Sequence, residues 1–217
     1  MSSTTRSPAC SARFSRVTGR GRRGSPATGE ACAELPDETT LPDVTVPTAA
    51  AMRGLGRRLA GVLHPGDLVL LAGPLGAGKT TLVQGLGEAL RVRGLVTSPT
   101  FVIARVHPSL ADGPALVHVD AYRLGGLAEV DDLDLDLAGS VTVVEWGEGL
   151  AEGLSADRLE ITIGFAAADP EPDPPGGEPR DEPRTVRITR TGSRWASPQA
   201  TAALAGAAAR QHPAGPG

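Results

Sequence analysis

Gly73-Pro74-Leu75-Gly76-Ala77-Gly78-Lys79-Thr80 satisfies the pattern G-x-x-x-x-G-K-[ST] in full, and its lysine is the sole lysine of a 217-residue chain. Every other cationic side chain is arginine. Arginine is a rigid planar fork, whereas lysine is a compact charge on a flexible stem that can fold back over a loop onto phosphate oxygens. The pattern carries weight only between a strand and a helix. Before it, Asp67-Leu68-Val69-Leu70-Leu71-Ala72 is a continuous apolar run of the kind found in strands buried on both faces. After it, from Thr80 to Arg93, Leu82, Val83, Leu86, Ala89 and Leu90 recur at helical spacing.

Strand, glycine loop and helix together predict a nucleoside-triphosphate site. Gly73, Gly76 and Gly78 let backbone N–H groups turn inward around a polyanion, and the helix aims its positive dipole end at the same point. The expected phosphate-binding set is Gly73, Leu75, Gly76, Ala77, Gly78, Lys79, Thr80 and Thr81. The Thr80 hydroxyl is expected on Mg²⁺, and Thr81 adds a donor toward an α-phosphate. Gly85 and Gly87 each cost about 1 kcal/mol relative to alanine in a helix, so their expected use is close packing on the sheet.

With 28 glycines, 19 prolines and 3% aromatic residues, the ends and linkers are expected to be disordered. Residues 1–41 read as a basic and polar tail, residues 42–195 as one domain, and residues 196–217 as an Ala/Pro/Gly tail. A proline- and charge-rich stretch at 166–184 reads as an insert without structure. A domain near 150 residues buries roughly 70% of its unfolded surface, enough for its own core. No apolar run approaches the ~20 residues needed to span a bilayer, which predicts a soluble, cytoplasmic protein with no membrane role. Cys10 and Cys32 both fall in the first tail and have no metal spacing, in keeping with a reducing compartment. The arginine-rich start shares features with a transit peptide, the alternatives being a disordered basic tail or a start site assigned too far upstream. A net charge of −4 gives no global drive toward nucleic acid.

Ala115-Leu116-Val117-His118-Val119-Asp120 is a second strand, apolar until it ends in a carboxylate. In open parallel sheets the C-terminal strand ends line the ligand crevice, which makes Asp120 a candidate partner of Mg²⁺. Ala121 follows it, so the water-orienting base must come from elsewhere. Val141 to Val144 runs into Glu145-Trp146, so Glu145 is a candidate to ligate the metal or to orient the attacking water, and Trp146 can close over the site or act as a partner surface. Lys79, Asp120 and Glu145 form the candidate catalytic set. Thr97-Ser98-Pro99-Thr100-Phe101 is a proline-fixed turn that can place Thr100 as a γ-phosphate sensor, ahead of a strand expected over Phe101 to Val106. His118 reads as a packed or hydrogen-bonded histidine. Arg123 is a cation near the phosphates or a partner of the acidic stretch Glu129 to Leu137, itself read as a solvated face rather than a calcium loop. Leu159–Ile163 and Thr185–Arg190 alternate like the arms of a C-terminal antiparallel hairpin, and Ala51–Leu63 reads as an amphipathic helix. The whole predicts an α/β P-loop NTPase domain: a mixed, mostly parallel sheet with flanking helices.

The ordered set Gly-x-Leu-Gly-Ala-Gly-Lys-Thr-Thr (73–81), Ser-Pro-Thr-Phe (98–101), His-x-Asp-x-Tyr-Arg-Leu (118–124) and Val-Glu-Trp (144–146) resembles the bacterial tRNA threonylcarbamoyladenosine-biosynthesis ATPases, over about residues 45–165. The resemblance implies a small ATPase acting with a heterodimer of the threonylcarbamoyl-transferase subunit and its paralogous partner. It meets tRNA only through that complex, which modifies adenosine 37, and ATP hydrolysis resets the machine between turnovers. It further implies that Thr80 and Glu145 hold Mg²⁺ with Asp120 in support, that Thr100 lies in a switch segment, and that Trp146 lies near the nucleotide. Pro74 departs from the family's frequent aspartate, and the insert and both tails fall outside its pattern.

Two other classes compete. A small-molecule kinase needs an acceptor pocket and a lid, and little chain follows Glu145 before the hairpin. A nucleotide-dependent binding switch needs the same site without hydrolysis. A GTPase is disfavoured because the guanine-reading Asn/Thr-Lys-x-Asp needs a second lysine.

Overall fold

The central apolar strand sets the architecture described by a computed structural model of residues 38–124, 129, 136–149, 152–166 and 182–209. Leu68–Ala72 (β3) is buried along its whole length and is flanked on both sides by parallel neighbours. Ser140–Glu145 (β6) lies on one side and Arg158–Phe165 (β7) on the other. Beyond β6 come Ala115–Asp120 (β5), parallel, and Ala104–His107 (β4), antiparallel. Beyond β7 comes Arg184–Thr191 (β8), antiparallel over eight residue pairs. Glu38–Thr40 (β1) and Val44–Val46 (β2) both pair with the outer edge of β8. Four parallel strands with antiparallel additions make the mixed, mostly parallel sheet that the sequence predicts, with the terminal hairpin in place.

One sheet face is covered by Ala49–Ala60 (α1), Lys79–Ala89 (α2) and Pro198–Ala209 (α4), the last preceded by the short Ser193–Ala196 (α3). The main core lies here: Val69 and Leu71 of β3, Leu116 of β5, and Val141 and Val143 of β6 meet Met52, Leu55, Leu82, Leu86 and Leu204 of the helices. Leu68, Leu70, Val117, Val119 and Val144 project from the opposite face into a second, smaller cluster. This is the period-2 alternation of strands with both faces apolar.

Two expectations change. A β-carbon on Gly85 would collide with the carbonyl of Arg53, and one on Gly56 with the carbonyl of Leu82. The bare glycines therefore let α1 and α2 touch backbone to backbone, so Gly85 serves helix–helix contact and not the sheet; Gly87 faces Val92, Val96 and Leu116. The strand expected from Phe101 starts three residues later. The Pro99 carbonyl accepts from both Val102 and Ile103, curling the chain, and Ile103 takes φ +67° before β4 begins.

The folded elements also pass both expected limits of the domain. β1 precedes residue 42, and α4 lies within 196–217, where Leu204 is fully buried and the α1 side chain of Arg58 donates to the Ala207 carbonyl at 2.7 Å. An alanine-rich segment has high helix propensity, and docking on α1 supplies the burial that propensity lacks. The N-terminal residues 1–37, most of the acidic stretch, residues 167–181 of the insert and residues 210–217 lie outside the described residues. Among the described residues no helix is long and apolar enough to cross a membrane.

Candidate functional site

The loop between β3 and α2 begins with Gly73 at φ +130°, where a β-carbon would strike the Ile163 carbonyl of β7. It ends with Gly78 at φ +109°, which caps α2 without any side-chain hydrogen bond. The first-turn N–H groups of α2 are thus left for a ligand, where helices otherwise take a capping side chain. Met52 of α1 packs 3.5 Å from the position a β-carbon on Gly78 would take, supporting the loop from below.

Lys79 is buried, and its Nζ donates to the carbonyls of Gly73 (2.8 Å) and Pro74 (3.1 Å). The same Nζ lies 3.7 Å from the Trp146 ring centroid. Burial holds its pKa below the usual 10.5, against the opposing pull of Glu145 and Asp120.

Asp120 and Glu145 end β5 and β6 directly opposite each other in parallel register. Alternation puts Leu116, His118 and Asp120 on the face that Val141, Val143 and Glu145 share, under the loop. Glu145 Oε1 accepts from Thr80 Oγ1 at 3.0 Å and from His118 Nε2 at 2.9 Å. Asp120 Oδ2 accepts from Thr100 Oγ1 at 2.5 Å, and its Oδ1 accepts from the Tyr122 N–H at 3.0 Å. Ser98 and Thr100 share a further bond of 2.7 Å. Trp146 turns out of β6 at φ +62°, its N–H still bonded to Leu71 O, with Tyr122 edge-on at 5.6 Å.

A cleft of about 250 Å³ results, lined by Lys79, Thr80, Thr81, Thr100, Asp120, Glu145 and Trp146 together with Leu75, Gly76 and Gly78. Every candidate catalytic and metal residue borders it. Of the phosphate-loop set, Gly73 stands behind the cleft through its carbonyl, and Ala77 is buried beneath it. Arg123 does not line it; its guanidinium lies 5.3 Å from the centroid of the Phe101 ring, which is exposed.

His118 carries more than the packing role read from sequence. It is fully buried, its Nε2 fixes Glu145, and its Nδ1 has no hydrogen-bond partner among the described residues. The signal was present: a residue two positions before Asp120 on a strand must share its face. One hydroxyl and two carboxylates at the mouth of the glycine loop are hard oxygen donors, the chemistry that suits Mg²⁺.

A family model described as threonylcarbamoyl adenosine biosynthesis protein TsaE matches residues 46–169. The tRNA threonylcarbamoyladenosine biosynthesis protein TsaE of Streptomyces coelicolor is 63% identical over 149 residues, covering 67% of this chain and 95% of that protein. The protein of the same name from Mycobacterium tuberculosis is 51% identical over 128 residues, covering 55% of this chain and 76% of that one. Among solved structures, Bacillus subtilis YdiB superposes with a TM-score of 0.55 at 26% identity, covering 79% of this chain and 97% of YdiB. The match takes in the phosphate loop, the Thr100 turn and both acidic strand ends, and on that footing the chain belongs to the TsaE family of threonylcarbamoyl adenosine biosynthesis proteins.

Proposed function

We propose that the cleft binds ATP with Mg²⁺ and hydrolyses its γ-phosphate slowly, in support of threonylcarbamoylation of adenosine 37 of tRNA. The working partners in this reading are the transferase subunit and its paralogous partner, with tRNA met only through that heterodimer. The reading is carried by the convergence of Lys79, Thr80, Thr100, Asp120, Glu145 and Trp146, from four separate segments, on one cleft. Names borne by the relatives supply the pathway.

Thr80, Asp120 and Glu145 would hold Mg²⁺, which when bound offsets charge on the β- and γ-oxygens. Lys79 exchanges its two loop carbonyls for phosphate oxygens, and the amides of the loop and of α2 take the rest. Glu145 orients the attacking water and accepts its proton, and His118 keeps that carboxylate in position. Thr100 leaves Asp120 to meet the γ-phosphate, which orders its turn. The cleft lining holds no arginine among the described residues, so turnover by the isolated chain is slow and a partner completes the site.

Reconstitution with the heterodimer, tRNA and ATP tests this: modification beyond one turnover requires this chain and hydrolysable ATP. Undiminished multiple turnover in its absence rejects the reading. A binding-only switch would use the same contacts, with Glu145 held by Thr80 and His118 through Oε1. Single-turnover hydrolysis with and without the heterodimer separates the two.

A further inference from the structure

Gln84 lies on α2 five residues after Lys79, about 7.5 Å further along the helix. Its amide is held at both ends. Oε1 accepts from Arg53 Nε at 3.2 Å and from Arg53 Nη2 at 3.1 Å, and Nε2 donates to the Val96 carbonyl at 3.2 Å. A guanidinium can only donate, so it takes the amide oxygen and leaves the NH₂ group to Val96. Arg53 therefore sets which way the amide faces. We propose that Gln84 is a positioning residue that ties the root of the Thr100 turn to α2, so that the turn can read the γ-phosphate. The inference rests on the triphosphate reading above and adds the residues through which the γ-phosphate contact is held.

Two separate contacts root the chain at Val96. Its carbonyl meets Gln84, and its side chain is buried against Gly87, where a β-carbon would lie 2.7 Å from Val96 Cγ2. Arg53 is equally fixed, because its backbone lies against Gly85. Three residues then lead from Val96 to Thr100. Thr97 and Ser98 are exposed, whereas Pro99 is buried and its carbonyl accepts from Val102 and Ile103. The turn thus hangs between a root on α2 and a curl ahead of β4. Thr100, bonded to Asp120 at 2.5 Å, stands at the curl.

In the triphosphate reading α2 takes phosphate at its first turn, and it carries Gln84 beyond that turn. A helix is a rigid element over so short a length, so the phosphate loop and the root of the Thr100 turn form one body. Cutting the bond to Val96 leaves the loop as it is and frees the root. A drift of about 1 Å is enough to misplace a hydroxyl that must meet one phosphate oxygen.

The competing reading is a brace: Gln84 only joins α1 to α2. Gln84→Glu separates the two, because a carboxylate keeps the Arg53 pair and has no N–H for Val96. Calorimetric titration of the full chain with Mg²⁺ and either ADP or the non-hydrolysable β,γ-imido analogue of ATP reads the γ-phosphate contact as a ratio of two affinities. The wild type is expected to favour the analogue. In Gln84→Glu that preference falls about five- to tenfold, near the worth of one hydrogen bond, and ADP affinity stays within about twofold. Retained ADP binding also shows that the variant is folded. In a Thr100→Val background Gln84→Glu changes the preference by less than about twofold, since the contact it positions is already gone. An unchanged preference, an equal loss of both nucleotides, or a full effect without the Thr100 hydroxyl overturns the inference while leaving the triphosphate reading intact. A wild-type chain that binds neither nucleotide removes that reading and this one together.

Discussion

The Lys79 ammonium lies 3.7 Å from the centroid of the Trp146 ring, so the residue that would grip phosphate is held against an indole at the opposite wall of the cleft. Drawing the ammonium toward phosphate changes the field on that indole, and Trp195, the other tryptophan, lies buried beside Arg194. Titration of the wild type with ATP therefore changes tryptophan emission, and Trp146→Phe abolishes most of the change. Lys79→Ala lowers ATP affinity about 10- to 100-fold, the worth of a hydrogen bond to a charged group. Its far-ultraviolet circular dichroism stays that of the wild type, because the ammonium bonds two loop carbonyls that lie outside the helices and strands. An unaltered ATP affinity in that variant removes Lys79 from the site.

Glu145 and His118 should separate binding from turnover. Glu145→Gln is expected to reduce single-turnover hydrolysis by at least about a hundredfold, the usual worth of a positioned base. His118→Leu leaves the carboxylate held by Thr80 alone, so kcat falls with little change in KM, and His118→Gln, which keeps an N–H donor, recovers part of it. A KM rise with kcat intact would show that His118 serves binding.

Helix contact gives a stability test remote from the cleft. Gly85→Ala forces a β-carbon against the Arg53 carbonyl, backbone that cannot yield as a side chain can. Overpacking of this kind costs about 1–3 kcal/mol and lowers Tm by roughly 3–10 °C. Thermal unfolding of the variant at wild-type Tm would mean that α1 and α2 move apart freely.

The buried His107 gives the chain an acid sensitivity. Burial holds its pKa below 6.5; the Arg93 carbonyl, 3.3 Å from Nδ1, opposes this, and His118 and Arg105 reinforce it. Between the folded value and 6.5 the unfolded chain binds a proton that the folded chain does not, so stability falls as pH drops through that window. Denaturant titrations at pH 7.5 and 5.5 measure this, and His107→Leu shows a smaller difference between the two. An equal pH dependence in the variant assigns the effect to other groups.

Much of the site was legible because its residues stand at the ends of short apolar strands. The run into Asp120 and the run into Glu145 each announce a strand, and a strand's C-terminal end is where α/β sheets bind ligands. The register that sets the two acids side by side was not legible, because it depends on pairing between segments far apart in the chain. Gln84 illustrates the same limit: from sequence it is one polar residue of a helix, and only the packing of α1 and the return of the chain at Val96 give its amide two partners. The α4 helix was missed because alanine offers little apolar periodicity, and its docking is decided by α1. Gly85 read as a weak helix residue, and its partner Gly56 lies in another helix.

Trp146 stands at φ +62°, a conformation that costs a residue bearing a β-carbon roughly 1–2 kcal/mol, and glycine would occupy it without penalty. An indole on the cleft wall at that position sets the shape of the cleft against the ease of the backbone. Where such tension exists, substitutions that relax the backbone can yield a hardier protein that performs its task less well.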